Sequence, residues 1–423
     1  MSFVFVFRTG PDIDHMSPLA WKLLDTGEEV HAVMSPGYDA TGDHRIDLLL
    51  RYPAFHLHEC PPQAGRIGRE RSMLRASLPA ALFRLARSRA SLVAVEWGYG
   101  LPAGYERLRS PAGAYAVLRS LVGSFVRARS NTARQLRYSY VVAARLLGIP
   151  TVCLPHGLSI KLDMAANAEI QELLRSGPIK WQDRNRFAAF VFNTEHHRQW
   201  SLANASADPE VMQTWGSARW SPEWFEKSRE LAPPFTWPEQ SDRLKVVFMV
   251  PKWPNRVHAE EAIELFRRLA EMDEISLALM GHPRKKQGGS GPLREAEGVD
   301  WSRLHDISGA NSVAVIDAAD VVIDVGSSIG IEVVMQHKVL INPTYIHELK
   351  TLFDSVEGAA VVAHSADEVT DYLRRHAAGN PHSVPADSYE ELLRIAVYGN
   401  RPQPYNVLEE YLERVSTLAS SAH

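Results

Sequence analysis

Three short segments of this 423-residue chain end an apolar run on groups that can move a proton or hold a phosphate. Thr151-Val152-Cys153-Leu154 stops at Pro155 and is followed at once by His156 and Gly157. In "LALMGHPRKK" the run is followed by His282, Pro283 and Arg284. In "VVIDVGSSIGIE" it is followed by Gly326, Ser327 and Ser328 and then by a helical pattern carrying Glu332. An imidazole with a pKa near neutrality suits general-base work, and a glycine beside it lets a substrate approach the backbone. A serine pair at a helix start offers hydroxyls and unpaired amide hydrogens to a phosphate. Ser327 reads equally as a plain helix cap. Glu332, one turn in, is placed to accept hydrogen bonds from ribose hydroxyls or to act as a favourable charge near the helix start.

The elements that must aim these groups follow from periodicity. "SFVFVF" reads as a strand, and "HMSPLAWKLL" carries apolar residues on one helical face. "EVHAVM" and "SLVAVEW" read as further strands, Tyr115 to Leu147 as a long helical stretch, and Trp215 to Trp237 as a linker rich in Pro and Trp. A second alternation starts at "LKVVFMV" and runs through "ISLALM", "DVVIDV", "KVLINP" and "AAVVAH", with helical patterns between. Strands alternating with helices predict an α/β chain of two Rossmann-like domains with parallel sheets, facing a cleft. The expected boundaries are 1–225, 240–385, and 386–423 as C-terminal helices packing back on the first domain. In such sheets ligands bind beyond the carboxyl ends of the strands, where all three segments above fall.

Composition narrows the function classes. The hydrophobic fraction of 45% and charged fraction of 23% are those of a globular chain. Cys60 and Cys153 are too few for a disulfide framework, which fits a reducing cytoplasm. "FVFVF" is too short for a signal-peptide core, and no segment approaches the roughly 20 apolar residues of a membrane span. Between Ala64 and Arg137 stand 14 Arg and no Lys against three acids, in a chain of net charge −4. This Arg-rich 66–137 region reads either as solvated helix faces or as a peripheral contact with an anionic membrane on its inner side. It holds no nucleic-acid-binding motif. Near the N-terminus, Asp12 and Asp14 spell the "DID" of a metal-binding DxD. Here Asp14 is expected to cap the following helix, and no metal is expected.

"PHGLSIK", "VVFMVPKW", "GHP" and "AADVVIDVGSS" together resemble the motifs of CDP-glycerol glycerophosphotransferases, over Thr151 to about Pro343. His-Pro and Ser-Ser pairs are also similar to those of bacterial capsular sialyl- and Kdo-transferases, which share the GT-B fold. Leu158-Ser159, Lys252 and Val325-Gly326 depart from the first family's Thr-Pro, Thr and Asp-Tyr. The resemblance implies a metal-independent, cofactor-free transfer from a CMP-, CDP- or UDP-linked donor to a hydroxyl of a cell-envelope polysaccharide or lipid-linked acceptor. His156 would be the base, with Asp14 as the alternative. His282, Pro283, Arg284, Ser327, Ser328, Glu332, Lys252 and Gly326 would hold the donor, and Asp12, His15, Gly157 and Lys161 the acceptor. Two other readings stay open. Nucleotide-sugar 2-epimerases share the fold and have a glutamate much like Glu332 after the phosphate turn, but need several carboxylates around the sugar. A GT-B protein that only binds nucleotide or polysaccharide would need no intact His156, His282 and Ser327/Ser328.

Overall fold

The computed structural model describes the chain outside residues 9, 36–37, 39, 60–73, 75, 98–109, 128–131, 156, 163–167, 176, 180–183, 240–241, 254–255, 282–292, 294–298, 382, 403–404 and 422–423. Seven strands form the first sheet: β1 (Ser2–Phe7), β2 (Glu29–Met34), β3 (Phe55–His58), β4 (Leu92–Glu96), β5 (Thr151–Leu154), β6 (Ala189–Phe192) and β7 (Met212–Thr214). Their spatial order is β3-β2-β1-β4-β5-β6-β7 and every pairing is parallel. The second sheet has β8 (Leu244–Met249), β9 (Ile275–Met280), β10 (Leu304–Asp306), β11 (Val321–Ile323), β12 (Val339–Pro343) and β13 (Val361–Ala363). It runs β10-β9-β8-β11-β12-β13, again all parallel. Parallel strands need crossover connections whose helices cover the sheet, so they are written as unbroken apolar runs. β1 and β9 are accordingly buried at every position. The expected α/β class with two parallel sheets is the one found.

The chain divides into two compact units: Met1–Leu158 with Gly177–Phe225 and Val397–His423, and Ser159–Ser176 with Glu226–Ala396. The first unit thus takes the last helix, Val407–Ser420, while Ala386–Ala396 stays with the second. Tyr411 on that last helix is buried and donates its hydroxyl hydrogen to the Gly216 carbonyl at 2.9 Å.

Several expectations need correction. The passage from Trp215 to Trp237 does carry the chain from the first unit to the second, at Phe225–Glu226, but it is packed chain, because Trp215, Trp220, Trp224 and Trp237 are all buried. Proline and tryptophan together read as irregular chain, but indole rings of that size are placed where they remove the most apolar surface from water. The stretch from Tyr115 to Leu147 is two helices, Pro111–Arg127 and Thr132–Leu147. The first helix begins at Gly10, with Pro11 in its first turn, so Asp14 lies inside it and caps nothing. Strands β3, β7 and β10, of three or four residues, are too short to show a period. Among the described residues, no helix is long and apolar enough to cross a membrane.

Candidate functional site

A doubly wound sheet has one place where the strand order reverses, and the two crossovers that leave it in opposite directions open a crevice at the carboxyl ends. In the second sheet that place lies between β8 and β11, and in the first between β1 and β4. Each unit gathers its ionisable groups there.

In the second unit, Asp324 follows β11 directly and is buried. One carboxylate oxygen accepts the Ser327 amide hydrogen at 2.9 Å, and the other accepts the Ser327 hydroxyl hydrogen at 2.7 Å. Burial pushes the Asp324 carboxyl up to about 6, opposed by the Ser327 bonds and by the charge of Lys252. The turn closes at Gly326, whose φ of 66° lies in the left-handed region that favours glycine. Ser327 Oγ also accepts the Ile329 amide hydrogen at 3.3 Å, so its hydroxyl does the capping, although Ser328 stands at the cap position with no such bond of its own. The helix Ile329–Met335 is held to its neighbour by Glu332, which is buried and accepts the Ser312 hydroxyl hydrogen at 2.9 Å.

Gly330 seats that helix. A Cβ there would stand 2.6 Å from Phe353 Cζ and 3.0 Å from Leu340 Cδ2. Gly330→Val is therefore expected to lower unfolding stability by about 1–3 kcal/mol through overpacking, measured as a shift in the urea midpoint. An unchanged midpoint would mean that the helix is free to slide off Phe353.

Two lysines act on the groups beside the Gly326 turn. Lys161 is pinned by an antiparallel bridge to Thr351, with flanking bonds from Leu352 N–H to the Ile160 carbonyl (2.8 Å) and from Leu162 N–H to the Lys350 carbonyl (2.9 Å). Burial and the like charge of Lys252 hold the Lys161 ammonium below its usual range. Burial also lowers His347, and the charges of His258 and Lys161 lower it further. Its Nδ1 accepts the Leu349 amide hydrogen at 3.1 Å, leaving Nε2 as the protonated nitrogen, 3.4 Å from Asn342 Oδ1. The His347 ring lies 3.6 Å from where a Gly326 Cβ would stand. Two ammonium groups that repel each other beside a buried carboxyl and a strand-end turn leave positive charge at the switch point, the kind of arrangement that can take an anion.

In the first unit, Arg8 follows β1 and Glu96 ends β4. The Arg8 amide donates to Asp12 Oδ2 at 2.7 Å, and its guanidinium pairs with Glu96 Oε1 and lies 3.7 Å from Asp12 Oδ2. Asp12 and Glu96 are fully buried. Burial, and next the Asp12 charge, push the Glu96 carboxyl up to about 8, against the pull of Arg8 and Arg137. A buried carboxyl whose pKa is raised beside a second carboxyl group is an arrangement that acid–base chemistry uses. Buried Cys153 behind them has its thiol pushed up to about 12 and is inert.

The remaining expected residues fall in different places. Asp14 pairs with Arg45 and, at 3.4 Å, with Arg219, which occupies the carboxylate proposed as an alternative base. His15 is buried edge-on against Trp220, ring centroids 5.5 Å apart. The Gly157 carbonyl accepts a hydrogen from Asn193 Nδ2 at 2.8 Å. Lys161 and Lys252 lie close enough for their charges to interact, and the Lys252 charge also acts on Asp324. His156, His282, Pro283 and Arg284 lie outside the described residues. Of the Arg-rich stretch, Arg137 is no surface group: it is buried and acts on Glu96 and Cys153. Arg84 donates to the Tyr140 hydroxyl at 3.1 Å. Sequence reasoning missed Arg8, Glu96 and Asp324. The available signal was a charged residue at or just beyond the last residue of an apolar run.

No family model matches the chain, and no curated protein matches it. Solved structures do match, at low identity. A glycosyltransferase from Rickettsia africae gives a TM-score of 0.56 at 10% identity over 99% of this chain and 98% of that one. The UDP-GlcNAc 2-epimerase from Neisseria meningitidis bound to UDP-GlcNAc gives 0.54 at 13%, over 99% and 100%. The complex of MnaA from S. aureus with UDP gives 0.55 at 11%, over 99% and 97%. Likeness of this kind establishes the fold, a GT-B-like pair of α/β units with parallel sheets.

Proposed function

We propose that the chain is an enzyme acting on a nucleotide-activated sugar or glycerol phosphate, and that it transfers the activated group to a hydroxyl of a cell-envelope polysaccharide or lipid-linked acceptor. The observation that carries the reading is the cationic turn of the second unit. The His347 ring borders Gly326, the Lys252 charge acts on Asp324 and the Lys161 charge acts on His347, all at the strand switch, where this fold class places ligands. The donor's phosphates would sit there, with His282, Pro283, Arg284, Ser328 and Glu332 completing the site. The lysines would stabilise the charge that develops on the leaving nucleotide. His156 would take the acceptor proton. Gly157, His15 and Asp12 would contribute to the acceptor side, and exposed Arg87, Arg89 and Arg119 would meet an anionic membrane that carries the acceptor. The specific likeness to CDP-glycerol and capsular sialyl- or Kdo-transferases belongs to this proposal.

One observation favours a second reading. The buried Asp12–Glu96 pair is what a 2-epimerase, which moves a proton on the sugar itself, would need. The likeness to the solved Neisseria meningitidis 2-epimerase supports that reading as well as the transferase one.

Titration of CMP, CDP, UDP and their sugar conjugates into the protein, followed by calorimetry, tests the shared premise. At least one nucleotide should bind. Lys161→Ala and Lys252→Ala should each weaken it by about 10- to 150-fold, since a charge-assisted bond contributes roughly 1.5–3 kcal/mol. Unchanged affinity in both variants would put the phosphates elsewhere. Nucleotide release that requires an acceptor marks a transferase, and a change of sugar configuration without an acceptor marks an epimerase.

A further inference from the structure

The amino end of the first sheet carries a group of side chains for which nucleotide chemistry has no use. Strand geometry assembles it. Successive side chains of a strand alternate between faces, so Glu29 and His31 of β2 share a face, as do His56 and His58 of β3. The parallel register pairs His31 with His56, which sets the four side chains side by side. Glu29 Oε1 lies 3.0 Å from His56 Nε2 and 3.2 Å from His31 Nε2. His31 is buried, and its Nε2, although close to that carboxylate, makes no hydrogen bond. Its other nitrogen, Nδ1, is 3.0 Å from His58 Nε2. The His31 ring is stacked between those of His56 and His58, at centroid distances of 4.6 and 5.3 Å.

We propose that Glu29, His31 and His56 bind a divalent transition metal of the zinc type, with His58 as the outer partner that orients His31. Ligand bonds of about 2.0–2.1 Å at tetrahedral angles place neighbouring ligand atoms about 3.3 Å apart. The separations of Glu29 Oε1 from the two imidazoles are close to that, and all three ligand atoms lie within 4.8 Å of one another. Two imidazoles and one carboxylate leave a fourth position open, and such donors select zinc, cobalt or nickel over magnesium or calcium. The His58 contact on Nδ1 fixes which His31 nitrogen faces the ion, as outer partners of metal-bound histidines do. The group opens on a cavity of about 750 Å³, also lined by Arg84, Arg87 and Arg89. Those guanidinium groups oppose a bare dication, so the open position suits an anionic fourth ligand. Arg84, whose charge acts on His58, is turned to the Tyr140 hydroxyl. The site lies at the opposite end of the sheet from Arg8 and Glu96, so the ion would hold the edge strand β3 to β2 and take no part in transfer.

Cobalt(II) alone, titrated into the full-length, tag-free chain, reads the site without any assay of activity. One equivalent should bind and give visible absorption of low-coordinate cobalt, and zinc should displace it. Glu29→Gln and His56→Ala alter half-exposed side chains and should leave the far-ultraviolet dichroism unchanged. Each should weaken binding by more than the roughly 10- to 100-fold that loss of an outer partner costs, which is the loss expected for His58→Ala. A wild-type chain that takes up no cobalt overturns the proposal. So does uptake of equal affinity and spectrum in the Glu29→Gln/His56→Ala double variant, which would assign the ion to other histidines.

Discussion

Glu96→Gln is expected to remove a pH dependence of stability that runs against the usual carboxylate pattern, and to lower turnover. A free glutamate titrates near 4.5, whereas burial and the neighbouring Asp12 raise Glu96 to about 8. Between those values the folded chain holds a proton that the unfolded chain has released. Stability from this group is therefore present in full below about 4.5 and is lost as pH rises through about 8. Its slope cannot exceed the one-proton limit of about 1.4 kcal/mol per pH unit. Asp324 acts with the same sign but only from 3.8 to about 6. His31, His58, His197, His347 and His376, held below 6.5 by burial, act with the opposite sign up to about that pH, so Glu96 is read from the difference between wild type and variant between pH 6 and 8. The urea midpoint of wild type should fall relative to that of Glu96→Gln across that window. Parallel curves would mean that Arg8 and Arg137 hold the Glu96 carboxylate ionised throughout. If Glu96 also exchanges protons with substrate, turnover should fall by about 10²- to 10⁴-fold in the same variant. A relative fall in wild-type stability with unchanged turnover in the variant would leave Glu96 a structural acid.

What was legible in the sequence follows from what each signal depends on. The strands of the second sheet were legible because parallel strands are apolar on both faces, and runs such as "LKVVFMV" and "ISLALM" announce themselves. The Gly326 turn was legible for a related reason: only a few residue types tolerate a left-handed φ after a strand. Asp324, Glu96 and Arg8 were not. A single charged residue at a strand end looks the same in sequence whether it faces water or is sealed in a crevice. Only the strand order decides, and strand order is set by long-range pairing that no local pattern records. The Glu29, His31, His56 and His58 group illustrates the same limit. Each half has the alternate spacing of a strand face, but β3 is only four residues long, and the register that joins the halves emerges only when the sheet forms. In Trp215 to Trp237 the local signals for a connection were strong and the change of unit does fall there, but they gave no hint that its indoles are buried.

His156→Ala is expected to lower turnover by about 10²- to 10⁴-fold while leaving nucleotide affinity near wild type. β5 lies beside β4, and Leu154, its last residue, is the register partner of Glu96. His156 follows that strand end by two residues in the chain and lies outside the described residues. An imidazole there suits removal of a proton from an acceptor hydroxyl, a step in which the donor's phosphates play no part. The loss should therefore appear in turnover and leave the calorimetric Kd of the nucleotide unmoved, whereas Lys161→Ala should raise that Kd. Measured side by side, His156→Ala and Glu96→Gln also separate the two readings of the reaction. A large fall in His156→Ala alone assigns the proton transfer to the imidazole, as a transferase acting on an acceptor hydroxyl requires. A large fall in Glu96→Gln alone assigns it to the carboxyl pair, as proton exchange at a sugar carbon requires. Full turnover in His156→Ala would end the transferase mechanism built on that residue, even if every nucleotide-binding result held.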